Sequence, residues 1–165
     1  MANTSNSAQT RADFRLIFTP NLATGEVVQD FVLTPQGDIA LVTGIDRLVQ
    51  MIILWLLTPL GVNPWDTTYG NPYYSQLGRI AGPDLQETYL AMLDTCQAAF
   101  LSTQEQAAQA GQLTQDEMVA KFSAQHISVV GVGQVMVSFT IVAQSGASTS
   151  VNVPFASGLA SGQAN

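Results

Sequence analysis

Charged side chains are scarce in this sequence. Only 10% of its 165 residues are charged, against about a quarter in ordinary soluble domains, while 47% are hydrophobic. Its polar residues are mostly Gln, Asn, Ser and Thr, which lose less than Lys or Glu when they leave water for a partner. We therefore expect much of the surface to be interface. A monomer with an uncharged polar surface is the alternative.

Basic residues are few. Five Lys and Arg stand against 12 Asp and Glu, for a formal charge of −7. The basic residues are scattered at Arg11, Arg15, Arg47, Arg79 and Lys121. Binding to a phosphate backbone requires a basic cluster strong enough to overcome this overall charge, and the sequence has none. We expect no nucleic-acid partner.

The sequence has one cysteine, Cys96, and one histidine, His126. A single cysteine excludes an internal disulfide, favours a reducing compartment and rules out CxxC sites, and a single histidine excludes a two-His metal site. We expect no metal and no cofactor. The one available thiol dyad is Cys96 with His126, but Cys96 falls in the apolar stripe of a helix, where cysteine usually packs as a small hydrophobe.

Long apolar runs are also missing. The most apolar stretch, residues 45–57, includes Asp46, Arg47 and Gln50 and is shorter than the roughly 20 residues that a membrane span requires. The first 15 residues contain no apolar core of a secretory signal. We expect a buried helix at 45–57 and no membrane partner.

Short strands open the predicted fold. Apolar and β-branched runs predict strands at 14–18, 27–33 and 38–42. The turn from Pro35 to Asp38 joins the last two, and Gly37 supplies the positive φ that such a turn needs.

The strongest helical pattern comes after Thr43. Seven apolar residues recur at steps of three and four: Ile45, Leu48, Val49, Ile52, Ile53, Leu56 and Leu57. Thr43 or Asp46 is the expected N-cap. Met51, Leu54 and Trp55 extend the apolar surface, so this helix should be enclosed on two sides. We expect a partner, or the loop from Trp65 to Tyr74, to cover these three residues.

The loop 58–83 is rich in proline, glycine and aromatic residues. Its aromatic residues are Trp65, Tyr69, Tyr73 and Tyr74. Such side chains dominate interface cores, and they also anchor long loops onto their own domain. The sequence leaves both interpretations open.

The remaining elements complete an α+β fold. A helix is predicted at 84–110, a short third helix at 114–122 after a Thr114–Glu117 capping box, and strands at 126–132, 134–143 and 148–155. We expect a small mixed β-sheet packed with two to three helices, with a C-terminal β-hairpin available for strand addition. The expected organisation is a flexible arm at 1–12, one domain at 13–155 and a flexible tail at 156–165.

Two further patterns are candidates for chemistry, and each also has a structural interpretation. Glu87 and Asp94 could share a helix face, as paired glycosidase carboxylates do, but acidic residues on a helix usually form its solvated side. The run from Gly131 to Gly133 resembles the start of a dinucleotide fingerprint but leads into a strand, whereas that motif requires a helix.

The segment from Gly37 to Pro72 resembles a known family. Its strand, its Gly-Ile-Asp helix start, its Leu-Leu-Thr-Pro-Leu-Gly helix end and its Tyr-Gly loop, in that order, are similar to the baseplate wedge and sheath-initiator family of contractile phage tails, once labelled a baseplate lysozyme. Members often carry a Glu-Pro-Arg motif before the closing strands. This sequence has residues 123–127, Ser-Ala-Gln-His-Ile, at that place, so no Glu-Pro-Arg role is carried over.

The resemblance implies a structural protein and not an enzyme. It implies a virion baseplate subunit, assembled in the host cytoplasm, present in several copies in a ring, whose C-terminal strands join a sheet completed by the first sheath subunits. The implied partners are the tail sheath protein, baseplate wedge proteins and tail tube or hub proteins. The residues expected to bind partners are Thr149, Val151, Asn152, Val153, Trp55, Trp65, Tyr69 and Tyr73. The alternatives are a wedge or hub protein without sheath contact and a lysozyme-type peptidoglycan hydrolase.

Overall fold

The computed structural model describes residues 12–20, 27–74, 85–109, 111–131 and 134–156. These residues form a mixed α+β fold with a C-terminal three-stranded sheet, which confirms the predicted fold class. Its elements, in chain order, are β1 (Asp13–Phe14), β2 (Leu16–Pro20), β3 (Val27–Phe31), β4 (Leu41–Val42), α1 (Gly44–Leu57), α2 (Leu85–Gln109), β5 (Val119–Gly131), β6 (Gln134–Ala143) and β7 (Ser148–Ala156). Apart from Ala12 and Ala156, the predicted arm and tail lie outside the described residues.

The N-terminal strands form two small antiparallel sheets, β1 with β4 and β2 with β3. The predicted turn after Thr34 is present. The amide of Gly37 donates to the carbonyl of Thr34 over 2.9 Å, and Gly37 adopts a φ of 90°. The strand expected at 38–42 is shorter than predicted. It is reduced to β4 and an isolated bridge between Leu33 and Ile39.

Helix α1 lies at the centre of the fold and is enclosed on two sides, as its sequence predicts. Leu48 and Leu56 are fully buried on one side. On another side the buried Gln50 accepts a hydrogen bond from the amide of Leu16 and donates one to the carbonyl of Phe14, both over 2.8 Å. The expected side-chain cap is absent, since Thr43 occupies the N-cap position but makes no side-chain bond there.

Trp55 belongs to the core of the chain, which corrects the expectation that it binds a partner. It is 1% exposed, and its ring packs edge-on against Phe100 of α2 with centroids 5.6 Å apart. The contact continues from Phe100 to Phe122 of β5 and from Phe122 to Phe139 of β6. The chain's own second helix therefore covers this side of α1, and no partner is needed to bury Trp55.

The short third helix predicted at 114–122 does not form. The carboxylate of Glu117 accepts a hydrogen bond from the amide of Thr114 over 2.9 Å, as a capping box requires. The chain makes one turn there, and β5 then begins at Val119. Pairing of Val119 and Phe122 with β6 prevails over the local helical signal, because both side chains bury fully on the inner face of the sheet.

The C-terminal sheet has the order β5-β6-β7, with all its pairs antiparallel. The bounds of β6 match the prediction, and β7 extends the predicted strand by one residue. The inner face buries Val137, Phe139 and Ile141 in a core shared with α1 and α2. Neither of the two described helices is long and apolar enough to cross a membrane.

Candidate protein interaction site

Strand β7 forms one edge of the C-terminal sheet. It pairs with β6 over nine residues, from Ser148 opposite Val142 to Ala156 opposite Gln134, without any shift of register. Among the described strands, β6 is its one ladder partner. Strands β2 and β3 lie near β7, but they pair with each other.

The hairpin turn determines which backbone groups of β7 face outward. The amide of Ala143 donates to the carbonyl of Ala147 over 2.8 Å, which makes these two residues a hydrogen-bonded pair. Bonded and non-bonded pairs alternate along an antiparallel ladder. The residues whose N–H and C=O groups bond β6 are therefore Thr149, Val151, Val153 and Phe155. The residues whose N–H and C=O groups point away from β6 are Ser148, Ser150 and Asn152.

Pro154 agrees with this alternation. Pro154 lies opposite Met136. At this position the backbone of β7 points away from β6, so β6 needs no N–H from it. A proline has no N–H to offer and is tolerated in a strand at such a position. The open part of the β7 edge therefore extends from Ser148 to Asn152 and stops before Pro154.

The predicted partner-binding side chains of β7 divide between its two faces. Val153 is 0% exposed, Thr149 and Val151 are half-buried, and all three face the core. Asn152 points outward, and the buried Val153 has no surface left to offer a partner. For the half-buried Thr149 and Val151 the partner contact stays a prediction. Sequence reasoning missed Ser148 and Ser150. Pro154 was the signal that could have found them, because a proline in a strand fixes which alternate residues point away from the ladder.

The outward face of the hairpin is polar and uncharged around Asn152. The hydroxyl of Ser138 on β6 donates to Oδ1 of Asn152 over 2.7 Å. No residue from Ser148 to Ala156 is charged. An uncharged edge with outward backbone groups is the kind of surface to which an extended segment adds as a further strand.

A second exposed feature is the loop after α1. Trp65 is 92% exposed, and Leu60 and Val62 are also exposed. The backbone at Trp65 is part of a turn, because its N–H donates to Oδ1 of Asn63 over 3.0 Å. Next to it, hydrogen bonds from Thr68 hold the pKa of Asp66 below its usual range.

Buried Asn71 fixes this loop to the helices. Its amide donates to the carbonyl of Thr58 over 2.7 Å, and its Nδ2 donates to the carbonyl of Leu56 over 3.1 Å. Its Oδ1 accepts bonds from the amide of Tyr73 and the thiol of Cys96. Both polar ends of this buried side chain are bonded, which favours a single conformation of the loop.

Close backbone packing at Gly70 adds to this rigidity. Gly70 has a φ of 118°, and a Cβ there would lie 2.7 Å from the carbonyl oxygen of Thr58. Tyr69 and Tyr73 are partly buried against the core. Of the predicted aromatic contacts in this loop, Tyr69 and Tyr73 therefore anchor it to its own domain, and Trp65 is the one presented outward.

The two members of the candidate thiol dyad lie in different environments, one buried and one exposed. The thiol of Cys96 is 0% exposed and donates to Asn71, and burial raises its pKa to about 12. His126 is exposed on β5, and Glu87 and Asp94 are exposed on α2. Within the described residues no cluster of three His, Cys, Asp or Glu side chains could hold a metal.

The N-terminal strands present a large apolar surface. The apolar side chains exposed there are Phe14, Ile17, Val28, Phe31, Leu33, Ile39 and Leu41. Phe14 and Phe31 pack edge-on, with centroids 5.9 Å apart, beside an open groove of about 550 Å³. This surface fits the composition, from which we expect extensive interfaces.

Comparison of the chain with protein-family models, with curated proteins and with solved structures finds no match. The described geometry defines a small α+β protein with a regular, uncharged sheet edge at β7, an exposed loop held by hydrogen bonds and an apolar N-terminal surface.

Proposed function

We propose that this protein is a structural subunit of a contractile-tail baseplate that initiates sheath assembly, by accepting a strand of the first sheath ring at the β7 edge. The observation that carries the proposal is the open edge itself. It is uncharged and regular, and it directs the backbone groups of Ser148, Ser150 and Asn152 outward. The segment from Gly37 to Pro72 resembles the sheath-initiator family, and this resemblance is the reason for choosing a contractile tail as the assembly.

Strand addition suits an initiator because its affinity comes from main-chain hydrogen bonds. The three outward residues each offer one N–H and one C=O to an incoming strand. On a free monomer such an edge promotes aggregation, and natural proteins usually protect it with charge, proline or bulges. An unprotected edge is compatible with a stable particle if a partner strand covers the edge after assembly.

The rigid loop supports contacts with neighbours other than sheath. Trp65 is a large, exposed aromatic residue on a preorganised support, which is the typical form of an interface anchor. We assign this loop to the wedge, tube or hub neighbours of a ring of several copies. The same observation favours the alternative of a wedge or hub protein that makes no sheath contact.

The deciding experiment changes one outward amide in assembling particles. Asn152→Pro removes the N–H at position 152 and keeps the β6 ladder, since this residue, like Pro154, lies at a position that does not bond β6. The matched control, Asn152→Ala, removes the bond to Ser138 but keeps the amide. We expect particles without sheath for Asn152→Pro and sheathed particles for Asn152→Ala, counted by electron microscopy.

Sheath of full length on Asn152→Pro particles would place the sheath contact elsewhere and favour the wedge or hub alternative. A turbidity assay on peptidoglycan addresses the hydrolase alternative. We expect no clearing by the purified chain, and clearing that Glu87→Gln abolishes would overturn the structural proposal.

A further inference from the structure

A strand added to β7 must share the two faces of the sheet. Side chains alternate between faces along every strand, and residues opposite one another lie on the same face. Partner residues opposite Ser148, Ser150 and Asn152 therefore project to the outer face, and those opposite Thr149 and Val151 project to the inner face. This rule holds whether the added strand runs parallel or antiparallel to β7.

The inner face is incompletely covered where the edge is open. Val153 and Phe155 are 0% and 2% exposed, whereas Thr149 and Val151 on the same face are only half-buried. Apolar side chains opposite Thr149 and Val151 would extend the core shared with α1. A polar side chain opposite Val151 would lose water beside an apolar side chain, which is unfavourable.

The outer face has the opposite character. Ser150 lies opposite Thr140, and Asn152 lies opposite Ser138. The Oδ1 atom of Asn152 already accepts the hydroxyl of Ser138, which leaves its Nδ2 group to donate to an incoming side chain. Small polar residues with an acceptor oxygen suit this face.

Pro154 limits the length of the added strand. The next partner residue in a position to bond β7 lies opposite Pro154, two beyond the one opposite Asn152, and its carbonyl would meet a residue that has no N–H to donate. Pairing past Asn152 therefore leaves an acceptor without its bond. At the other end, the turn at Ala147 ends the strand.

We propose that the β7 edge selects a short extended segment with strictly alternating side chains, polar opposite Ser148, Ser150 and Asn152 and apolar opposite Thr149 and Val151, whose pairing ends before Pro154. The identity of that segment as part of a sheath subunit rests on the proposed function. The pattern itself rests on the geometry of β7.

The test extends the full chain beyond Asn165 with a Gly/Ser linker and the segment Thr-Val-Thr-Val-Thr, which can return antiparallel to β7. The matched control carries Thr-Thr-Val-Val-Thr, which has the same composition without alternation. Amide exchange is measured by NMR. A tethered segment acts at high effective concentration, and we expect the alternating one to slow exchange at Ser148, Ser150 and Asn152 by about tenfold or more.

Thr149 and Val151 provide an internal reference, since their amides already bond β6 and should exchange slowly in every chain. The pattern is overturned if both segments slow exchange at the outward amides equally, or if neither does. Lengthening the segment to Thr-Val-Thr-Val-Thr-Val-Thr tests the end point. The added residues should raise the Tm in Pro154→Ala and not in the parent, and an equal rise in both would overturn the role of Pro154.

These outcomes separate the inference from the function on which it rests. Selective protection by the alternating segment, together with normal sheath on Asn152→Pro particles, supports the pattern and overturns the sheath proposal. Loss of sheath on those particles, with no preference between the two segments, supports the sheath proposal and overturns the pattern.

Discussion

The two edges of the C-terminal sheet differ in regularity. Strand β5 pairs with β6 through three register shifts, at Val119/Lys121, Ala124/His126 and Val129/Gly131, whereas β7 pairs with β6 without one. Bulges twist an edge and interrupt the row of groups that a further strand would need. In this sheet the bulges lie on one edge only.

Side chains reinforce the difference. The side-chain amide of Gln104 on α2 accepts the N–H of Val119 over 2.8 Å and donates to the carbonyl of Glu117 over 3.0 Å, so a side chain occupies the start of the β5 edge. Lys121 adds a charge to β5, and β7 has none. The β5 edge is therefore protected against pairing, whereas the β7 edge is left open from Ser148 to Asn152, before Pro154. Substitutions in the core and on each edge can test this contrast.

The largest loss of folding stability is expected when the aromatic contacts between α1, α2 and β5 are removed. Trp55→Ala should lower the free energy of unfolding by about 3 to 5 kcal/mol, because it leaves a large cavity beside Phe100. Trp65→Ala is the matched control. Its ring is 92% exposed, so its effect should stay within about 0.5 kcal/mol. Urea denaturation measures both, and equal losses would contradict the assignment of one tryptophan to the core and the other to the surface.

The next largest loss of stability is expected when the ion pair between Arg47 and Glu117, just before β5, is broken. The guanidinium of Arg47 donates to the carboxylate of Glu117 over 2.9 Å, and Glu117 is 1% exposed. Burial raises the pKa of Glu117, but the hydrogen bonds from Thr114 and Arg47 outweigh it and hold this pKa below its usual range. Glu117→Gln should cost about 1.5 to 3 kcal/mol at neutral pH.

The same pair predicts a pH dependence. Because the pKa of Glu117 is lower folded than unfolded, its stabilisation is present above the unfolded value of about 4.3 and is lost as pH falls through the folded value. Stability should therefore drop less steeply below about pH 4 in Glu117→Gln than in the parent. Gln109→Ala, an exposed position of α2 that carries no titratable group, is the control and should keep the parent slope. An unchanged slope in Glu117→Gln would contradict the assignment.

A smaller loss is expected on removing the side chain that occupies the β5 edge. Gln104→Ala leaves the amide of Val119 and the carbonyl of Glu117 without that bond, which should cost about 1 to 2 kcal/mol. Gln109→Ala, at an exposed position of the same helix, should have little effect. Thermal unfolding compares the two, and equal shifts in Tm would show that Gln104 does not protect this edge.

The smallest effect on folding is expected from moving a charge between the edges. Positions 121 and 150 are both exposed. Lys121→Ser and Ser150→Lys should therefore each change the free energy of unfolding by no more than about 0.5 kcal/mol. Their effects on assembly should differ. Ser150→Lys should reduce the fraction of sheathed particles, and Lys121→Ser should not, because the β5 bulges remain. The reverse result would show that β5 is the pairing edge.

Periodicity predicted the elements that depend on local pattern. The spacing from Ile45 to Leu57 predicted α1, and the Val- and Ile-rich run predicted β6 with its observed bounds. The prediction of a third helix was wrong. The local signal, the bond between Thr114 and Glu117, is real but supports only one turn, because pairing with the distant strand β6 makes the next residues extended.

Two features depend on contacts that periodicity does not encode. They are the choice of which β7 residues direct their backbone groups outward, and the burial of each tryptophan. Alternation showed that β7 has two faces, but the bond between Ala143 and Ala147 decides which residues point outward. Trp55 and Trp65 are alike as residue types. Helix α2 covers Trp55 and makes it a core residue, whereas Trp65 is 92% exposed in the loop.

Hydrogen–deuterium exchange on assembled particles tests the contrast between the two edges most directly. Exchange is compared between the free chain and sheathed baseplates for the peptides covering 148–156 and 119–131. We expect exchange to slow in 148–156, where the amides of Ser148, Ser150 and Asn152 gain partners, and to stay unchanged in 119–131. Slower exchange in 119–131 with none in 148–156 would contradict the account.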